Sequence, residues 1–335
     1  MFIKTFSRLS KNDVAIAGGK GASLGEMTKA GIPVPPGFVV LAAAFDVFLT
    51  ETKLDSKIES ILKKTKTKEI NSVDRASNEI KKLILAATFP AELGRVILKE
   101  FSGLKSPFVA VRSSATAEDS HTASWAGELE SYLNTTKNNL LENVKHCWAS
   151  LFSPRAIFYR YEKKLGTTKV SVAVVVQTMI QSEISGITFT VHPVTEDRNQ
   201  MVIEAGWGLG EAIVGGKITP DTYVLSKSKI SARGGSAFGG KIPASPAGGQ
   251  NSKRIILDKN ISEQKMMIIK SKTGTVEMAV PKNKQEKQKL TDKQLIEIAK
   301  ICVDIEKHYG FPCDIEWAYA HGKFYVVQSR PITTL

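Results

Sequence analysis

The chain has 335 residues, more than one hydrophobic core usually organises, so one large two-lobed domain or two domains are expected. Hydrophobic residues make up 42% and charged residues 24%, the balance of a folded globular protein, which excludes a disordered chain. The net charge of +13 favours polyanionic partners, but much of the excess sits in lysine-rich stretches, Lys53 to Lys68 and Lys282 to Lys293. No aromatic residues interleave with these lysines to stack bases, so they read as solvated helix faces and no nucleic-acid partner is expected.

The longest apolar stretch, Val170 to Val176 with Met179 and Ile180 beyond it, is far too short to cross a bilayer and reads as a buried strand. The N-terminus MFIKTFSRLSKNDVA lacks a basic segment followed by an apolar run and a small-residue cleavage site. A cytoplasmic protein with no membrane partner is therefore expected. Cys147, Cys302 and Cys313 are odd in number and form no CxxC pair, so reduced thiols are expected rather than a disulfide framework or a cysteine metal site.

In chain order, a glycine-rich segment from Gly18 to Gly25 leads into a short helix around Ala22 to Ala30. GIPVPPGFVV then marks a turn before a Val-rich strand. Residues 43 to 102 carry apolar positions at three- and four-residue spacing, such as Phe45, Phe48 and Leu49, and predict a helical cover. FVAVRSS and ELESYLN predict strands around a small polar loop, and residues 138 to 163 predict helices. VSVAVVVQTMI, GITFTVHP and the start of QMVIEAGWGLGEAIVGG predict further strands. Residues 231 to 252, rich in Gly, Ala, Ser and Pro, read as an exposed loop or flexible insertion. The remainder predicts a strand at KMMIIK, a helix from Asp292 to His308 capped by Thr291, and two final strands, DIEWAYA and KFYVVQS. The pattern is α+β.

Three segments carry chemistry. GGKGASLGE sets Lys20 among Gly18, Gly19 and Gly21, where backbone amides and an ammonium group can approach a polyphosphate; it also suits a plain glycine turn before a helix. Its spacing is not that of a Walker A loop. VRSSATAED offers Arg112 at a strand end with Ser113, Ser114 and Thr116 beside it, either a phosphate clamp with extra hydroxyl donors or a surface arginine beside a capping serine. DIEW puts Asp314 and Glu316 on one strand face, and VVQSRP puts Gln328 and Arg330 on one face of the next. Two carboxylates and an amide oxygen suit Mg²⁺, and the same four residues also suit a cross-strand acid and arginine pair on a solvent face.

GGKGASLGEMTKAGIPVPPGFVV, VAVRSSATAEDS, CWASLFSPRAIFYR, GLGEAIVGGKITPDTYV, YGFPCDIEWA and VVQSRPITTL resemble, in the same order, the signature segments of one nucleotide-binding domain. Phosphoenolpyruvate synthases, pyruvate phosphate dikinases and rifampicin phosphotransferases share it. The resemblance covers nearly all of residues 14 to 335, and VRSSATAED, CWASLF and DIEW look closer to the synthase and rifampicin branches.

It implies an ATP-grasp fold of two lobes with the nucleotide between them, an N-terminal lobe over residues 1–190 and a C-terminal lobe over 191–335. ATP and Mg²⁺ are the implied cofactors. Lys20 and Arg112 would hold ATP phosphates, Gly127 and Ser131 would lie in the loop covering them, and Gln177 would meet the adenine. Glu316 and Gln328 would ligate Mg²⁺, with Asp314 a weaker ligand, and Arg330 would neutralise the polyphosphate; Lys20, Arg112 and Arg330 are the implied catalytic residues.

The chain departs from the family pattern at Trp125, Glu128 and Ser131 in the covering loop, and Glu128 adds negative charge near a polyanion. It also reads PCDIEW where PQDIEW is commoner. Family enzymes pass a phosphoryl group to a histidine on a mobile domain. None of His121, His146, His192, His308 and His321 stands in a small, Ser- and Thr-rich context like that motif. A phosphohistidine-bearing domain or subunit is thus an expected partner, and pyruvate is expected to bind only through a separate domain. The alternatives are the ATP half of a rifampicin-type phosphotransferase and a non-catalytic nucleotide-binding module.

Overall fold

The computed structural model describes residues 1–116, 130–162, 171–231, 255–271 and 274–332. Gly127, Trp125, Glu128 and nearly all of the expected insertion at 231–252 lie outside the described residues. The chain divides into two compact units, one of residues 1–26 and 36–179, the other of residues 27–35 and 180–335.

The first unit is built from β1 (Ile3–Thr5), α1 (Val14–Lys29, which runs past the division), β2 (Gly37–Val40), α2 (Ala42–Glu51), α3 (Asp55–Lys64), α4 (Ile70–Ala86), α5 (Ala91–Gly103), β3 (Val109–Ala115), β4 (Ser131–Thr135), α6 (Leu140–Ser150), α7 (Pro154–Glu162) and β5 (Val172–Thr178). Its five strands pair in the order β1-β2-β5-β3-β4, every pair antiparallel. Side chains alternate across a strand, and Phe38, Val40, Val109, Val111, Val172, Val174 and Val176 all join one core with the helices α2 to α6. At its centre Trp148 of α6 stacks on Phe89 at 5.5 Å and lies 4.9 Å from Phe48. Aromatics of this size each remove roughly 150–250 Å² from water, so this cluster contributes a large share of the apolar burial at the centre of the core. The helical cover expected over residues 43 to 102 is therefore four helices closing one face of the sheet.

The second unit contains β6 (Ile184–Phe189), β7 (Gln200–Trp207), α8 (Glu211–Val214), β8 (Asp221–Ser226), α9 (Lys227–Ser231), β9 (Ile256–Asn260), β10 (Met266–Lys270), β11 (Thr275–Ala279), α10 (Asp292–Tyr309), β12 (Cys313–Ala320) and β13 (Lys323–Pro331). Six strands form an antiparallel sheet in the order β13-β12-β6-β7-β8-β9, and β10 and β11 form a separate hairpin. The segment of residues 27–35 joins this unit through β13, where the Val326 N–H donates to the Pro33 carbonyl at 2.9 Å.

The long helix α10 begins as its sequence predicts. Thr291 Oγ1 accepts from the Gln294 N–H at 3.4 Å while the Thr291 N–H donates to Gln294 Oε1 at 2.8 Å, a reciprocal cap, and Gly310 ends the helix at φ 78°. Leu295, Ile298, Ala299, Cys302 and Ile305 recur at helical spacing and are buried, giving α10 the face it lays against β7 and β12. Cys147, Cys302 and Cys313 are free thiols, all buried, and burial pushes Cys302 and Cys313 up to about 12.

One lysine departs from the solvated reading of Lys282 to Lys293. Lys289 is buried, with Nζ 2.7 Å from Asp221 Oδ1. The Asp221 carboxylate also accepts from the Ser262 and Lys289 backbone N–H groups and from the Tyr223 hydroxyl at 2.7–3.0 Å. A run of lysines resembles a solvated face because sequence spacing does not reveal that a strand residue 68 positions away supplies a buried counter-charge.

Candidate functional site

In the first unit, the sheet face opposite the aromatic core carries the polar residues. Arg112 on β3 stands across from Ser131 on β4 and from Val175 on β5, and Gln177 stands across from Ala110 and Gly37. Residues directly opposite each other in an antiparallel sheet share a face, so Arg112, Ser131, Gln177 and Ser114 all belong to the face turned away from the aromatic core.

The segment bearing Lys20 is fastened to the same face. α1 is broken at Gly18, whose φ of 68° and ψ of 170° are non-helical. A side chain there is ruled out twice, by that backbone and because its Cβ would lie 2.2 Å from Ser114 Oγ. Ser114 Oγ donates to the Ala17 carbonyl at 3.0 Å and accepts from the Gly21 N–H at 3.3 Å. The glycines thus let the helix start press onto β3, and Lys20 is left half-buried beside that junction. Lys20 and Glu130 both lie within electrostatic reach of the Cys147 thiol, which burial pushes well up, Glu130 raising it further and Lys20 opposing.

The hydroxyls beside Arg112 serve the protein rather than a ligand. Ser113 Oγ donates to the Glu130 carbonyl at 3.1 Å, Thr116 Oγ1 donates to the Ser171 carbonyl at 2.9 Å, and Ser114 is spent on α1. This corrects the expectation that they complete a phosphate clamp. Each is tied to a backbone carbonyl, and those of Glu130 and Ser171 also accept from the Ser113 and Thr116 N–H groups. Gln177 is the opposite case, buried at 2% exposure with Nε2 lacking a hydrogen-bond partner among the described residues. An unmet buried donor costs about 1–3 kcal/mol.

In the second unit the register sets Asp314 across from Arg330 and Glu316 across from Gln328, on one face of β12 and β13. A register shift follows immediately, between Glu316 and Trp317. Bulges of this kind re-aim side chains. Arg330 holds Asp314 Oδ2 through Nε at 2.8 Å and Nη2 at 2.7 Å, while Asp314 Oδ1 is buried with no hydrogen-bond partner among the described residues. The acid and arginine pair is therefore present, and it leaves a carboxylate oxygen free. Glu316 and Gln328 are half-buried.

Sequence reading missed Glu204 on β7. Glu204 stands across from Ile187, which stands across from Glu316, so Gln328, Glu316, Ile187 and Glu204 form one row on one face. Burial, and then the Asp314 carboxylate, push the Glu204 carboxyl above its ordinary range. A single carboxylate inside the otherwise apolar strand QMVIEAGW was the available signal. Among the described residues no three His, Cys, Asp or Glu side chains are grouped closely enough to hold a metal by themselves. Glu316, Gln328 and the unmet Asp314 oxygen nevertheless offer the hard oxygen donors that Mg²⁺ takes. No helix among the described residues is long and apolar enough to cross a membrane.

These features define an α+β protein with arginine and glutamine on one sheet face and carboxylates with an amide on another. Residues 14–335 match the family described as pyruvate phosphate dikinase, AMP/ATP-binding domain, and the chain belongs to that family. It is 44% identical to the probable phosphoenolpyruvate synthase of Methanocaldococcus jannaschii over 342 residues, covering 100% of this chain and 27% of that protein. It is 42% identical to the corresponding protein of Methanothermobacter thermautotrophicus, covering 100% of this chain and 46% of that one. The rifampicin phosphotransferase of Bacillus subtilis is 35% identical, over 98% of this chain and 35% of that protein. The chain thus spans less than half the length of each of these relatives.

Proposed function

We propose that this chain is the ATP-binding, phosphoryl-transfer component of a phosphoenolpyruvate synthase-like enzyme, which converts ATP, pyruvate and water to phosphoenolpyruvate, AMP and phosphate. The fold proposed is ATP-grasp, two lobes close to residues 1–190 and 191–335 with the nucleotide between them. The observation that carries this reading is the register placing Glu316 against Gln328 and Asp314 against Arg330, with Asp314 Oδ1 buried and unmet.

Lys20 and Arg112 hold phosphate oxygens in this reading, Arg112 through its planar fork. Ser131 and Gly127 belong to the phosphate-covering segment, and the unmet Gln177 amide donates to the adenine. Glu316 and Gln328 ligate Mg²⁺, Asp314 is the weaker ligand, and Arg330 neutralises the polyphosphate while anchored by Asp314. Magnesium, when bound, supplies neutralisation of the phosphate charge. The chain's own residues fix the phosphates in place, and positioning with charge stabilisation is most of what phosphoryl transfer requires.

A histidine-bearing domain is the proposed phosphoryl acceptor, and pyruvate is handled by a separate domain. Support comes from the relatives, in which the matched region is 27% and 46% of the whole. The expected result is that the isolated chain binds MgATP in a calorimeter yet forms no phosphoenolpyruvate from pyruvate until histidine and pyruvate domains are added. Phosphoenolpyruvate made by the chain alone overturns this division of labour. The 35% identity to a rifampicin phosphotransferase favours a second reading, the ATP half of an antibiotic phosphotransferase. Activity restored by a rifampicin-accepting domain, and not by a pyruvate domain, selects it.

A further inference from the structure

Glu204 is a carboxylate to which the nucleotide and metal roles give no task. It is half-buried, and among the described residues it has neither a hydrogen-bond donor nor a cation as partner. Chains seldom hold such a group in a strand unless a proton-bearing or positively charged species meets it.

Its position says which species. Adjacent strands lie about 4.7–4.9 Å apart, so the backbones of Glu204 and Glu316 are separated by roughly 9–10 Å, with the single strand β6 between them. The residue between the two carboxylates is Ile187, which has nothing to donate or accept. Both glutamates have side chains long enough to reach over it from opposite sides. In inverting glycosidases two carboxyl groups about 6.5–9.5 Å apart leave room for a water molecule between them, and side chains standing on backbones this far apart are able to adopt such a spacing. Glu316 has its amide neighbour Gln328 on the far side, and Asp314 and Arg330 occupy the next row. Glu204 has Thr222 on its far side. The phosphate-handling groups thus gather at one end of the row and Glu204 stands alone at the other.

Resting on the phosphoryl-transfer reading, we infer that Glu204 accepts the proton of the water that attacks the phosphoanhydride held at Glu316 and Gln328. The water oxygen bonds to phosphorus as the bridging phosphorus–oxygen bond breaks, and that bond's electron pair leaves on the departing phosphate oxygen. One water proton passes to the Glu204 carboxylate and then to solvent. No oxidant, reductant or further co-reactant takes part. General-base assistance of this kind contributes about 10²–10⁴-fold. The substitution Glu204→Gln keeps the shape of the side chain and removes the base.

The experiment compares the wild-type chain with Glu204→Gln and Glu204→Ala, measuring MgATP affinity by calorimetry and phosphate release in ¹⁸O-labelled water. Glu204→Gln is expected to bind MgATP within about threefold of wild type and to release phosphate about 100-fold more slowly. Added formate is expected to restore part of the rate to Glu204→Ala, which a merely structural role would not permit. Equal rates in wild type and Glu204→Gln overturn the inference. So does an affinity loss as large as the rate loss, which makes Glu204 a binding residue, and so does a wild-type chain that binds MgATP without releasing labelled phosphate above the buffer rate. A wild-type chain that binds no MgATP at all removes the nucleotide reading itself, and the inference with it.

Discussion

The two units cover their sheets with different chemistry. The first covers its sheet with helices α2 to α6 around an aromatic cluster and leaves Arg112, Ser131 and Gln177 on the other face. The second lays one long helix against its sheet, pins β8 with the buried Asp221–Lys289 pair, and leaves Glu204, Glu316 and Gln328 on the other face. Even their buried cations differ. Lys289 is enclosed with Asp221, whereas Arg160 of α7 lies 5.1 Å over the Phe152 ring, and its Nε and Nη2 have no hydrogen-bond partner among the described residues. Burial pulls Arg160 down to about 10. The contrast teaches that a buried cation can be neutralised in one unit and left against an aromatic ring in the other, according to whether a carboxylate is folded against it.

Removing one member of the enclosed pair is the strongest way to test that contrast. Lys289→Met is expected to destabilise the second unit by about 3–5 kcal/mol, because it strands Asp221 without a counter-charge. Urea unfolding followed through Trp207 and Trp317, both in that unit, measures it. Combining Lys289→Met with Asp221→Asn should recover part of the loss, since the uncompensated charge is removed while an amide oxygen remains to accept from the backbone N–H groups of Ser262 and Lys289.

The functional side of the contrast comes next. Lys20→Ala and Arg112→Ala are each expected to weaken MgATP binding by about 2–5 kcal/mol, the usual loss when one partner of a desolvated charge pair is removed. Glu316→Gln and Gln328→Ala should act instead on the Mg²⁺ dependence of binding, and more than Asp314→Asn, because Asp314 already has Arg330 as its partner. Calorimetry at several Mg²⁺ concentrations separates the two classes. A larger effect of Asp314→Asn than of Glu316→Gln would reverse the ranking of the ligands.

The smallest expected effect has the opposite sign. Arg160→Met should stabilise the first unit by about 1–3 kcal/mol, the cost of keeping polar groups buried without partners. A loss of stability in thermal melting would mean that the arginine stem and its contact with Phe152 outweigh the unmet nitrogens.

Much of the fold was legible in the chain. The helices over residues 43 to 102, the strands VAVRSSA and VAVVVQT and the capped helix after Thr291 all formed where periodicity and capping chemistry placed them. Helix α1 begins at Val14 rather than near Ala22, because the glycines there are helical apart from Gly18 and are needed for contact with β3, not for a loop. β9 and β11 escaped notice because most of their residues are exposed and show no alternation. β8 was passed over as the end of a glycine-rich motif, although its Asp221 and Tyr223 belong to the buried network.

The sequence by itself determined the local chemistry: residues two apart on a strand share a face, so Asp314 with Glu316 and Gln328 with Arg330 could be paired from spacing alone. Only the tertiary structure decided which faces are covered and which strands are neighbours. It put Glu204 in the row of Glu316, turned the serines beside Arg112 toward backbone carbonyls, and enclosed Lys289 with Asp221. The physical reason is range. Periodicity and capping act over a few residues of chain, whereas strand order and the pairing of buried charges join positions tens of residues apart, which no local pattern encodes.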